Sequence, residues 1–225
     1  MATLFESLLH SMEAQADFTR AQGMKAYMRN QFDYLGISSP MRKEILKPFI
    51  TSYSWVGEET FVELVRRLWL LPQREYKYVA LDLCFRFEKK LSPDSIPFFE
   101  GLIEKEPWWD TVDGIAPNVL GNIVKRNLHL REGLCEKWIH SENFWFQRTA
   151  IILQLKFRNQ TDFDLLKALI LRRADSKEFF VQKASGWALR QYSRINPKGV
   201  EQFISENKIP SLAAREGMRL ILKTR

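Results

Sequence analysis

The stretch KEFFVQKASGWAL (177–189) decides the fold, because other segments of the chain copy its design. REYKYVALDL (74–83) and ENFWFQRTAIIL (142–153) open on charged or polar residues, reach an aromatic, and place a small residue four positions later. The pairs are Tyr76 with Ala80, Phe146 with Ala150, and Phe180 with Ala184. Residues four apart share a helix face. Each pair therefore reads as a bulky anchor followed by a point of close contact. EPWWDTVDGIAP (106–117) offers the same two slots as Trp109 and Asp113. The aromatics recur at intervals of about 33–37 residues, the range of stacked helix pairs. The competing reading is an irregular helical bundle with chance similarity.

The segments between these copies are also helical in pattern. ETFVELVRRLWLL sets Phe61, Leu64, Val65, Leu68 and Leu71 on one apolar stripe, and LREGLCEKWI and DFDLLKALILRR repeat that spacing. Ser39-Pro40, Ser92-Pro93 and Asn196-Pro197 each put a capping residue before a proline at the first helical position. Asp175 and Glu178 are spaced as a capping box. Pro72 and Pro107 mark junctions. The expectation is an all-α protein, one domain over residues 1–225 with roughly a dozen helices. Its architecture would be a curved α-solenoid of HEAT-like repeats, with the concave side as an extended binding surface.

Composition narrows the function. The chain has 225 residues, 45% of them hydrophobic, and a net charge of +7, which favours polyanionic partners. It has no apolar run of membrane-spanning length. The opening MATLFESLLHSMEAQ carries acids and no basic region, unlike a secretory signal. Cys84 and Cys135, far apart, read as free buried thiols in a reducing cytosol. His10, His129 and His140 show no clustered metal-ligand spacing, and Cys135 adds no common zinc pattern. GxGxxG, Walker A and GxSxG motifs are absent. Neither a metal nor another cofactor is expected.

Three constellations carry chemistry. Trp109 and Asp113 share a helix face, while Trp108 points into the core and Asp110 suits the positive end of the helix dipole. A carboxylate in a slot that sister copies fill with alanine must be hydrated, hydrogen-bonded or paired. Next, Lys183, Trp187, Arg190 and Arg194 step by four, three and four into one stripe of cations with an aromatic, suited to phosphates and a sugar or base face. Gly186 beside it admits close approach of another surface. Third, Arg148 heads a row with Ile151, Ile152 and Leu155. Such an arginine reaches either a phosphate or an aspartate of the previous repeat. An aromatic–carboxylate pocket in a basic protein suits a polyanion with a local positive charge, as in alkylated DNA.

With these residues in view, the chain resembles the AlkD-type DNA alkylation repair enzymes, bacterial DNA glycosylases built of HEAT-like repeats. The resemblance runs through YMRNQFDYLGI, LWLLPQREYKYVALD, PWWDTVD, WFQRTAIILQLKF and SKEFFVQKASGWALR, over nearly the whole chain. It implies hydrolysis of the N-glycosidic bond of N3-alkyladenine and N7-alkylguanine in double-stranded DNA, by a monofunctional enzyme that does not flip the base into a pocket. It makes Asp113 the catalytic carboxylate, Trp109 and Trp187 the aromatic pair against the damaged nucleotide, Arg148 an arginine of the same cleft, and Tyr27 a residue of the DNA-facing surface. Ser38 stands where relatives can carry a larger polar residue, so no contact is assigned to it. A cytoplasmic monomer in a bacterial cytosol is expected. The alternative is a non-catalytic HEAT-like module that binds nucleic acid or an acidic protein.

Overall fold

The apolar stripe of ETFVELVRRLWLL folds as a helix, Glu58–Leu70, that buries Phe61, Leu64, Val65 and Leu68. Trp69 joins them, whereas Leu71 is the residue after the last helical position and is only partly covered. In the computed structural model, which describes residues 2–223, every regular element is helical and no strand occurs among the described residues. The contacts gather the helices into two units, one ending at Leu91 and one beginning at Ser92.

The N-terminal unit holds α1 (Ala2–Glu13), α2 (Phe18–Tyr27), α3 (Ser39–Ser52), α4 (Glu58–Leu70) and α5 (Arg74–Phe87). Helix α1 packs on α3, α3 on α5 and α4 on α5. The cap of α3 is Ser38, one residue earlier than expected. Its Oγ accepts from the Met41 amide at 3.5 Å, and Ser39 is already helical. The loop between α2 and α3 is tied down by Glu75, fully buried at the start of α5. Its carboxylate accepts from the amides of Leu35, Gly36 and Ile37 at 3.0, 2.8 and 3.1 Å. Gly36 sits at φ 87°, and a Cβ there would lie 2.0 Å from the Asp17 carbonyl oxygen, so only glycine fits.

The C-terminal unit holds α6 (Ile96–Glu104), α7 (Trp109–Ile115), α8 (Gly121–Arg126), α9 (Arg131–Ile139), α10 (Phe144–Ile152), α11 (Phe163–Arg172), α12 (Phe179–Tyr192), α13 (Pro197–Glu206) and α14 (Ser211–Met218). Helix α9 packs on α10, α10 on α12, and α12 on α14. This is the expected stacking of successive helix pairs. The small residues Ala150 and Ala184 of the repeated pattern are buried on α10 and α12. Gly186 serves the role read for it. A Cβ there would lie 2.5 Å from Glu216 Cβ and 3.1 Å from the Ala213 carbonyl oxygen, so α12 and α14 touch at backbone range.

Helix starts follow the sequence signals in part. Asn196 caps α13 by accepting from the Gly199 amide at 2.8 Å, with Pro197 first in the helix. Ser92 caps a 3-10 turn, Pro93–Ser95, that leads into α6. The Asp175–Glu178 capping box does not form. Glu178 is itself the N-cap of α12 and makes no side-chain cap bond, while its amide donates to Ser176 Oγ at 3.3 Å. Cys84 and Cys135 are free and buried. Burial pushes both thiols up, Cys135 to about 12, so neither is a reactive thiolate. Among the described residues no helix is long and apolar enough to cross a membrane.

Candidate functional site

Helix α7 is short, and its sequence explains how it presents Asp113. Trp108 is its extended N-cap, at φ −153° and ψ 164°; its carbonyl accepts from the Val112 amide at 3.0 Å and from Thr111 Oγ1 at 3.2 Å. Asp110 stands in the first turn, as the dipole argument expects. Thr111, Val112 and Ile115 face inward, which leaves Trp109 and Asp113 on the partly exposed side. An α-helix would send the amide of residue 117 to the Asp113 carbonyl, but Pro117 has no N–H to send. The chain instead widens into a π-helical turn, Ala116–Leu120. The side-chain amide of Asn118 supplies the missing donor, reaching the Asp113 carbonyl at 3.2 Å and that of Gly114 at 2.9 Å. Sequence reading missed Asn118. The available signal was a proline four residues after the carboxylate, followed by a donor.

Arg148 on α10 meets Asp113 across the repeat. Its Nε and NH2 donate to Asp113 Oδ1 and Oδ2, each at 2.7 Å, and its NH1 donates to the Phe180 carbonyl of α12 at 2.5 Å. Of the two partners left open by the sequence, the aspartate of the previous repeat is the one engaged. The Arg148 side chain is 5% exposed and that of Asp113 19%. The pair thus runs from the interior to the surface with the carboxylate outermost. Burial pushes the Asp113 carboxyl above its ordinary value, Arg148 pulls it down through hydrogen bonds and charge, Asp110 pushes it up, and the balance stays raised. Each carboxylate oxygen has a further lone pair beyond the one that Arg148 occupies.

Aromatic rings wall the pair. Trp108 packs against Trp145 at 5.9 Å and Phe180 at 5.2 Å, although it is only partly covered and not a full core residue, and Trp145 meets Phe180 at 4.9 Å. The Trp108 indole N–H is buried without an acceptor among the described residues. Phe180, half of a repeat signal in the sequence, thus carries both a ring and a carbonyl of this site. Its ring centroid lies 6.0 Å from Arg148 Cζ.

The basic stripe of α12 is only partly free. Lys183 Nζ lies 3.0 Å from Glu216 Oε1, and Arg190 NH1 lies 2.8 Å from Glu216 Oε2. Those partners, Lys183 foremost, hold the Glu216 carboxyl below its ordinary value. Trp187 is partly exposed between them in sequence, and Arg194 is exposed past the helix end. Glu216 on α14 is the residue that the stripe reading missed. Tyr27 closes α2 in the N-terminal unit and is 74% exposed. No group of three or more His, Cys, Asp or Glu among the described residues could hold a metal ion.

Comparison with known proteins gives a consistent result. The family model described as DNA alkylation repair enzyme matches residues 8–221. A solved structure described as a predicted DNA alkylation repair enzyme from Enterococcus faecalis superposes with a TM-score of 0.86 at 35% sequence identity, covering 93% of this chain and 98% of that one. No curated protein matches.

Proposed function

The chain belongs to the DNA alkylation repair enzyme family, and from that premise we propose that it is a monofunctional DNA glycosylase for cationic alkylpurines in duplex DNA. The observation that carries the proposal is Asp113 itself: a carboxylate at the surface end of a buried bidentate pair, aligned with Trp109 on one short helix. N3-alkyladenine and N7-alkylguanine already bear the positive charge of a good leaving group. When the N-glycosidic bond breaks, the bonding electrons leave with a neutral base, and the cost lies in the oxocarbenium-like sugar left behind. A fixed carboxylate beside C1′ stabilises that charge without reorganising. Water then adds to C1′, and Asp113 accepts its proton.

Arg148 acts through Asp113. Its fork fixes the carboxylate plane and favours the ionised form against burial. Trp109 and Trp187 would exclude water from the sugar and favour its cationic state through their ring faces. Excision without flipping the base is part of the same reading, since Asp113 sits partly exposed on its short helix. Tyr27, Arg190, Lys183 and Arg194 would contact the DNA backbone, and a monomer working in the bacterial cytosol would suffice.

The decisive test is incubation of the purified protein with methylated duplex DNA and identification of the released bases. Wild type should release 7-methylguanine and 3-methyladenine. Asp113→Asn should release neither while still binding duplex; undiminished release by that variant would remove the catalytic assignment. Duplex binding with no release by wild type would instead support a non-catalytic module.

A further inference from the structure

A cleft of about 410 Å³ opens within the C-terminal unit where α10, α12 and the short turn Arg158–Gln160 converge. Its walls continue the helices of the Asp113 site. Ile151 and Leu155 follow Arg148 by three and seven residues, and Gln191 follows Trp187 by four. One helical turn rises about 5.4 Å, so the cleft begins about one turn beyond the proposed sugar contact.

Two arginines line this cleft, Arg158 and Arg194, together with the amides of Asn159 and Gln191. Both arginines are exposed, and neither pairs with a carboxylate among the described residues. That sets them apart from Lys183 and Arg190, whose charge Glu216 answers. The acid at the end of the same loop is already committed. Asp162 takes Arg131 NH2 at 2.7 Å and caps α11 by accepting from the Leu165 amide at 3.0 Å. The loop is also held firmly. Buried Gln154 accepts from the Asp162 amide at 2.9 Å and donates to the Asp162 carbonyl at 3.2 Å. Arg158 itself is fixed at φ 54°, a left-handed conformation uncommon for a residue with a side chain.

Uncompensated guanidinium groups beside amide donors, on a preorganised wall, match the oxygens of a phosphodiester. We propose that this cleft binds a backbone phosphate of the DNA strand that crosses the Asp113 site, within a few nucleotides of the lesion. Arg158 and Arg194 meet the phosphate charge, and the amides of Asn159 and Gln191 donate to its oxygens. The proposal rests on the DNA reading above, but its test does not depend on base release.

The experiment measures binding to an undamaged duplex by fluorescence anisotropy over a series of NaCl concentrations. Arg158→Gly removes a charge and suits the left-handed backbone, and Arg194→Gln keeps a polar side chain. Each should flatten the plot of log affinity against log salt by about 0.9, and the double variant by about twice that. R158K/R194K should keep a slope near that of wild type. A scan with single methylphosphonate linkages should reveal one position where wild type loses affinity and the double variant does not. Unchanged slopes, or equal sensitivity of both proteins at every linkage, would overturn the cleft assignment while leaving the glycosylase reading intact. A wild-type protein that binds no duplex would overturn both.

Discussion

Replacing Arg148 with methionine isolates what holds Asp113. The change keeps an unbranched apolar stem in a nearly buried position and removes three donors: two to the Asp113 carboxylate at 2.7 Å and one to the Phe180 carbonyl at 2.5 Å. Stripping the partner from a buried charge costs about 3–5 kcal/mol. For a chain of this length each kcal/mol lowers Tm by about 2–4 °C, so the loss should be roughly 6–20 °C at neutral pH. The penalty falls mainly on the ionised carboxylate. With Arg148 gone, only burial and Asp110 act on Asp113, and both raise its pKa. A folded-state pKa above the unfolded one means that the native state holds the proton more tightly. The associated stability is complete at acid pH and is lost as pH rises through the folded value. Urea unfolding should therefore show a larger deficit at pH 8 than at pH 4.5. On the proposed mechanism, in which Asp113 works as the anion, the acid limb of 7-methylguanine release should move to higher pH. Adding Asp113→Asn should recover much of the stability at pH 8, since the orphaned charge disappears. A deficit independent of pH, or no recovery in the double variant, would refute the claim that the pair is a charge held against desolvation.

Glu216→Gln should free Lys183 and Arg190, tighten duplex binding and steepen its salt dependence by up to about two counterions; an unaltered slope would mean that these cations never meet phosphate. The same variant should be less sensitive to acid than wild type, because the Glu216 pKa is depressed and its stability contribution is lost as pH falls through the folded value. Gly186→Ala would force a Cβ to within 2.5 Å of Glu216 Cβ, and calorimetry should register about 1–3 kcal/mol of destabilisation from parting α12 and α14. Asn118→Ala removes the donors that replace the missing Pro117 amide, so kcat for base release should fall more than duplex affinity; equal loss of both would point to general unfolding of the turn.

The sequence carried the repeat because that signal is local. An aromatic and a small residue four apart record how one helix meets the next, and the slots at Phe146 and Ala150 or Phe180 and Ala184 need no knowledge of the partner. Boundaries were less legible for an equally local reason. The first amides of a helix have no intrahelical acceptor, so proline fits either of the first helical positions. Pro40 therefore could not tell Ser38 from Ser39 as the cap. At Asp175 the spacing of a capping box was present, but the helix begins only at Phe179. Side-chain partners across helices were legible at best as alternatives. Arg148 lies 35 residues from Asp113, and its choice between an internal carboxylate and a phosphate depends on how α10 seats against α7.

The same limit explains the stripe of α12, and it bears on which charges face DNA. A row of cations on one helix looks free because its neighbour is not in the row. Here Glu216 reaches Lys183 and Arg190 from α14, brought close by the absent side chain at Gly186. Only Arg194 of that stripe keeps its charge unanswered among the described residues, and it lines the cleft that also contains Arg158. Net charge therefore overstates the cations available to a polyanion. What distinguishes the available ones is the lack of a carboxylate partner, a property of packing that the row itself does not encode. Asp113 is the converse case. In a slot that sister copies fill with alanine, a carboxylate survives because Arg148 crosses from the next repeat to hold it. The arginine's third nitrogen donates to the Phe180 carbonyl, so the guanidinium stays inward and the carboxylate forms the outer end of the pair. That order places the carboxylate, not the guanidinium, at the more exposed end of the pair, which is the polarity that the sugar cation of the proposed mechanism needs and a phosphate does not.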